Sequence, residues 1–149
     1  MWLAKALTLA GKYIYDTLKT MRSQNKGDAT EFSIKNLAAL SNIGYDYLLV
    51  VLHEGSGKNI SILYMVKLAI VLGLSYDDAL ALINRFGSDI RFDWAPENEI
   101  YRRAIRAANN ENIAAAEEVL SELEPYLTRK NIPENYLLLD RFIGSKFAP

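Results

Sequence analysis

The sequence predicts an all-α protein, with a head of about five helices followed by a helical hairpin and a last helix. Three observations predict it. Apolar residues recur at steps of three and four along nearly the whole chain, which is the spacing of one helix face. Alternating apolar and polar runs, the mark of strands, are scarce. Serine caps, glycine stops and a helix-starting proline punctuate the chain at helical intervals.

The elements follow in order. The first helix is predicted over 3–23, with Leu3, Leu7, Ala10, Ile14, Leu18 and Met21 on one stripe. That spacing suits a dimer seam as well as packing within the chain, and so short a run favours the second. Asn25 to Asp28 reads as a loop. Ser33 caps a short helix carrying Ile34, Leu37, Ala38 and Leu40; Ser41 to Gly44 form a turn, and Tyr45 to His53 the next helix. The glycines of the stretch Glu54 to Asn59 make it a loop. A fourth helix spans 61–72 and stops at Gly73, placed for a left-handed cap. Ser75 starts a fifth, with Asp78 three residues on, so Asp77 and Asp78 belong to a helix N-terminus rather than to catalysis.

A linker runs from Gly87 to Ala95, and Pro96 opens a sixth helix at a position where its missing N–H costs nothing. Helices over 97–109 and 113–127 form a hairpin, and a last helix is predicted over 134–147. The chain thus divides into a unit over 1–87 and a second over 96–149.

Composition bounds the function. At 149 residues, half of them hydrophobic and only 23% charged, the chain has length for a real core and is not a disordered segment. The absence of cysteine removes disulfides, thiolate metal sites and thiol nucleophiles. The longest apolar run, Ile62 to Leu74, is interrupted by Lys67 and is too short for a bilayer. A soluble, cytoplasmic protein is expected. The net charge of −1 is unevenly placed: residues 1–87 hold nine Lys and Arg against seven Asp and Glu, residues 88–149 eight against eleven.

The order Ile34, Leu37-Ala38, a turn, Leu48, Val51, a glycine-bearing loop, Ile62, Met65, Leu68-Ala69 and Leu72-Gly73-Leu74-Ser75 through Leu80 resembles the phage-repressor (Cro-type) helix-turn-helix family. The resemblance implies a DNA-binding head whose third helix meets bases through Tyr45, Asp46, Leu49 and Val50. It places Lys35, Lys58 and Asn59 around that helix as phosphate contacts. The segment from Gly44 to Leu52 departs from a DNA reader in one respect. It holds no Arg, Lys, Asn or Gln, the side chains that match base edges.

In the rear half, Ile100, Ala104, Ile113, Ala116 and Leu120 resemble a tetratricopeptide hairpin, and the whole order is similar to peptide-sensing (arbitrium-type) regulators. Stacked repeats need more units than this chain supplies, so a peptide groove is not expected and the rear half dimerises or is a truncated repeat.

Enzymatic chemistry finds little support in the residues. His53, the single histidine, sits where a cap is expected. Gly55-Ser56-Gly57-Lys58 lacks the spacing and preceding strand of a phosphate loop. Arg102, Arg103 and Arg106 read as a solvated face offset by Glu97 and Glu99. No cofactor or metal is expected. Two functions remain: a phage or bacterial transcriptional regulator acting on duplex DNA as a homodimer, or a protein-interaction module on the same scaffold. The second, an antirepressor or an inhibitor of a host protein, would use Tyr45, Tyr47, Leu49 and Val50.

Overall fold

The structure is a computed structural model and describes residues 6–25, 30–54, 60–91, 94–110, 112–126 and 139–145. Its helices are α1 (Leu9–Asn25), α2 (Ile34–Ser41), α3 (Tyr45–Val51), α4 (Ile62–Val71), α5 (Tyr76–Arg85), α6 (Pro96–Asn110) and α7 (Ile113–Leu120), with 3₁₀ turns at Ser121–Tyr126 and Ile143–Ser145. No strand occurs among the described residues, and none of their helices is long and apolar enough to cross a membrane. The all-α expectation holds.

Local chemistry sets most helix starts. The hydroxyls of Ser33, Ser61 and Ser75 accept from the N–H groups of Asn36, Tyr64 and Asp78, and Asn112 does the same for Ala115. Each satisfies a donor that the first turn leaves without an intrahelical partner. Pro96 opens α6 as expected, and Gly73 stops α4 with φ 69°. At the head's turn, Asn42 takes the left-handed conformation (φ 55°, ψ 49°), and its N–H reaches the carbonyls of Ala38 and Ala39. Asn tolerates this region better than other non-glycine residues because its short amide bonds locally. Asn42→Ala is therefore expected to lower unfolding free energy by about 1 kcal/mol, read from urea titration.

One cluster of buried side chains runs from Ala10 in α1 to Ile143 near the end of the described chain. At its centre lies α4, buried from Leu63 to Val71 apart from Tyr64, with α2, α5, α6 and α7 around it. Within α1 the stripe faces inward: Ala10, Ile14 and Leu18 are in this core and Met21 packs against it, so their spacing serves the protomer rather than a dimer seam, while Leu7 precedes the helix and Leu3 lies outside the described residues. Helices α6 and α7 pack on each other, with Ile100, Ala104, Ile105 and Ala108 of the first and Ile113, Ala116 and Leu120 of the second buried. Asn109 ties the pair to the head by donating to the carbonyl of Leu74 at 2.9 Å.

Three predicted helices differ in extent. The one over 113–127 is α-helical to Leu120 and continues as the 3₁₀ turn to Tyr126, with 127 outside the described residues. The first helix of the chain begins at Leu9, because residues 6–8 instead pair with 52–54: Thr8 N–H donates to the Leu52 carbonyl at 2.9 Å and Glu54 N–H to that of Ala6 at 2.8 Å. The helix predicted over 134–147 is absent from 139–142, while 134–138 and 146–147 lie outside the described residues. Leu139, Phe142 and Ile143 are buried at a helix-like spacing, yet the backbone there bonds to other elements. Leu139 N–H donates to Glu117 Oε1 at 2.7 Å and Asp140 N–H to the Leu40 carbonyl at 3.0 Å, while Arg141 pairs with Glu31 at 2.9 Å. Tertiary partners satisfy groups that a helix would have satisfied within itself.

Candidate nucleic-acid interface

In the head, α2 and α3 meet across the turn 42–44, and the small Ala38, 1% exposed, lets the two helices cross closely. Leu37, Leu48, Val51 and Leu68 fill the space beneath, as expected of that pattern. Tyr45 and Val50 stand out from α3, 41% and 37% exposed, and Asp46 is exposed in its first turn, where its charge suits the helix N-terminus. Leu49 is half-buried against the core. Tyr47 is half-buried too, its ring edge-on to Tyr64 at 5.9 Å between centroids. The outer face of α3 is thus Tyr45, Asp46 and Val50, narrower than the sequence pattern indicates. Lys35 is exposed near the start of α2, and Lys58 and Asn59 fall outside the described residues.

The turn itself is held by a buried lysine. Lys67 has no exposed surface; its ammonium donates to the Asn42 carbonyl at 3.3 Å and lies 5.2 Å from the centre of the Tyr64 ring. Burial lowers its pKa to about 8, because an apolar interior disfavours the charged form. The chain Tyr47, Tyr64, Lys67, Asn42 links α3 and the turn to the central helix. Sequence reading treats Lys67 only as a break in an apolar run, since nothing local says which way a helical lysine points.

Beside α3 lies an open groove of about 490 Å³ between α1 and the start of α2. Lys19 and Arg22 enter it from α1, Lys35 from α2 and Tyr45 from α3, with Tyr15 and Asp16 on the α1 wall. Arg22 is steadied by donating to the Phe32 carbonyl at 3.4 Å. Neither Lys19 nor Lys35 forms an ion pair among the described residues. The groove thus joins two site residues visible in the sequence, Lys35 and Tyr45, to two that pattern matching missed. Their signal was present: Tyr15, Lys19 and Arg22 fall at a four-then-three spacing on one helix face.

No protein-family model, curated protein or solved structure matches this chain. Its chemistry is read from its own residues. His53 places Nδ1 2.6 Å from the Leu49 carbonyl oxygen, capping the end of α3, with its ring edge-on to Tyr15. The arginines of α6 have partners beyond the expected Glu97 and Glu99, of which Glu99 also favours the charge on Arg103. Arg103 makes a forked pair with Glu122 at 2.7 and 2.9 Å, Arg106 stacks over Tyr76 at 4.3 Å, and Arg102 donates to the Ile90 carbonyl. No group of three His, Asp or Glu side chains able to hold a metal occurs among the described residues.

Proposed function

We propose that this protein is a DNA-binding transcriptional regulator of phage or bacterial type that works as a dimer through its helix-turn-helix head. The observation that carries the reading is the pairing of α2 and α3 across a turn locked by Asn42 and Lys67, with cations flanking the exposed start of α3. Phosphate contacts supply most of the affinity of such a head and base contacts its specificity. Here the first kind is well provided for and the second is sparse. Tyr45 can meet a thymine methyl or a phosphate, and Asp46 a cytosine amine. Binding is accordingly strong in salt dependence and shallow in sequence preference. Two heads are needed because one small head buries little surface on a duplex.

Fluorescence anisotropy with labelled duplex DNA tests this. Retardation or anisotropy gain at low salt, falling steeply as salt rises, is the expected result; no binding at low salt ends the reading.

A second reading has one observation in its favour, the exposed Tyr45 and Val50 on a helix without base-reading side chains. An apolar and aromatic patch of that kind resembles the centre of a protein interface. With Tyr47 and Leu49 drawn inward, two of its four anchors are partly covered, so the DNA reading is preferred.

A further inference from the structure

We propose that the groove between α1 and the start of α2 is a phosphate site that receives a nucleotide unit, with Lys19, Arg22 and Lys35 on the phosphate and the tyrosines on the attached sugar or base. The proposal deepens the DNA reading, on which it rests where the nucleotide belongs to a strand, and also admits a free nucleotide.

Three features support it. First, cations from two helices converge on one cleft, against a single acidic wall residue, Asp16. Like charges brought together repel, and an anion between them relieves that repulsion. Second, the three are differently suited to the task. Arg22 is oriented by the Phe32 carbonyl and keeps further N–H donors for a planar, forked contact, whereas Lys19 and Lys35 are exposed and able to swing onto a phosphate oxygen. Third, the space is larger than one phosphate needs. At about 490 Å³ it falls among small-ligand pockets, and the partly covered Tyr15 and exposed Tyr45 give it aromatic walls. A base or sugar finds a flat face there, as bases do on the aromatic platforms of nucleic-acid binders. An acidic peptide would use the cations and leave the aromatic walls idle.

Two sources can present this chemistry, a DNA backbone or a free nucleotide, and titration of the full chain separates them. The probes are a short labelled duplex, adenosine monophosphate and adenosine; the variants are Lys19→Gln, Lys35→Gln and the double change, each checked by thermal melting. These lysines are exposed and form no ion pair among the described residues, so melting is expected to be unchanged. If the strand supplies the phosphate, each change weakens duplex binding several-fold and lowers the salt slope by about one. If a free nucleotide supplies it, adenosine monophosphate binds the wild type, adenosine does not, and the double variant loses the binding.

A duplex bound equally by wild type and double variant, with no response to adenosine monophosphate, overturns the groove and leaves the DNA reading standing. Adenosine monophosphate bound without any duplex binding ends the DNA reading and supports the groove. Failure of both probes on the wild type ends both, and adenosine bound as tightly as its monophosphate overturns the phosphate assignment.

Discussion

Gly11→Ala is expected to destabilise the protein by about 2 kcal/mol, although it places a better helix former inside a helix. The side chain has nowhere to go. A Cβ at Gly11 would lie 2.2 Å from the carbonyl oxygen of Leu52 and 3.2 Å from its Cβ, and the first of these is backbone that no rotamer can clear. That oxygen is also the acceptor for the N–H of Thr8 at 2.9 Å and for its hydroxyl at 3.1 Å. Pushing α1 away from the end of α3 therefore strains two hydrogen bonds together with the clash. Overpacking a tight contact costs roughly 1–3 kcal/mol or more, and the helix-propensity gain of about 1 kcal/mol offsets part of it. Urea denaturation measures the net effect. An unchanged or raised midpoint would show that the two elements separate at no cost. Because α3 carries the proposed DNA face, the same variant is also expected to weaken duplex binding more than its loss of stability explains.

Lys67→Met is expected to stabilise the protein at neutral pH by about 2–3 kcal/mol. The buried ammonium has a carbonyl and a ring face as partners but no carboxylate within ion-pair distance among the described residues. Its folded pKa of about 8 lies below the ordinary 10.5 of lysine. Below about 8 both folded and unfolded chains hold the proton, and the folded chain bears the full penalty of a charge in its core. Between about 8 and 10.5 the unfolded chain binds a proton that the folded one has released, so stability rises with pH across that window. Above 10.5 the contribution of this group is level. The methionine variant lacks that rise, so its advantage is largest near pH 7 and fades toward pH 10.5. Paired urea titrations across the range measure the difference. A variant that is less stable at pH 7 would show that the bond to Asn42 and the Tyr64 face outweigh desolvation.

A stabilised Lys67→Met protein would also locate the reason for the lysine. Its ammonium is the donor to the turn's carbonyl, and α3 follows that turn directly. A methionine leaves the turn without that donor, so weaker duplex binding together with higher stability is the expected combination.

How much of this was legible in the sequence depends on whether the deciding interaction is local. The starts of α2, α4 and α5 could be read because a serine hydroxyl bonds a backbone N–H three residues on, within the same stretch of chain. Pro96 and Gly73 were readable for the same reason, each constraint being intrinsic to one residue. Leu37, Ala38, Leu48, Val51 and Leu68, which the helix-turn-helix resemblance implied as a core, are all buried. The groove was only half legible: Lys35 and Tyr45 belong to the head's pattern, whereas Lys19 and Arg22 sit on a helix whose orientation the pattern does not specify. The last helix failed over 139–142: it was expected from the apolar start Tyr136 to Leu139, of which only Leu139 is among the described residues, and there the N–H bonds Glu117 rather than a carbonyl of its own helix.

By itself, then, the sequence determined an all-α chain and the placement of its capped helices, since capping, glycine stops and helical periodicity act within a few residues. Only the tertiary structure decided that α1 abuts the Leu52 carbonyl at Gly11, that Lys67 points inward to the turn, and that 139–142 lies against α2 and Glu117 as a strap. It also brought three cations from two helices around one groove. Each of these depends on residues far apart in the chain competing for the same partner atoms or the same space, and that competition is resolved only when the helices pack.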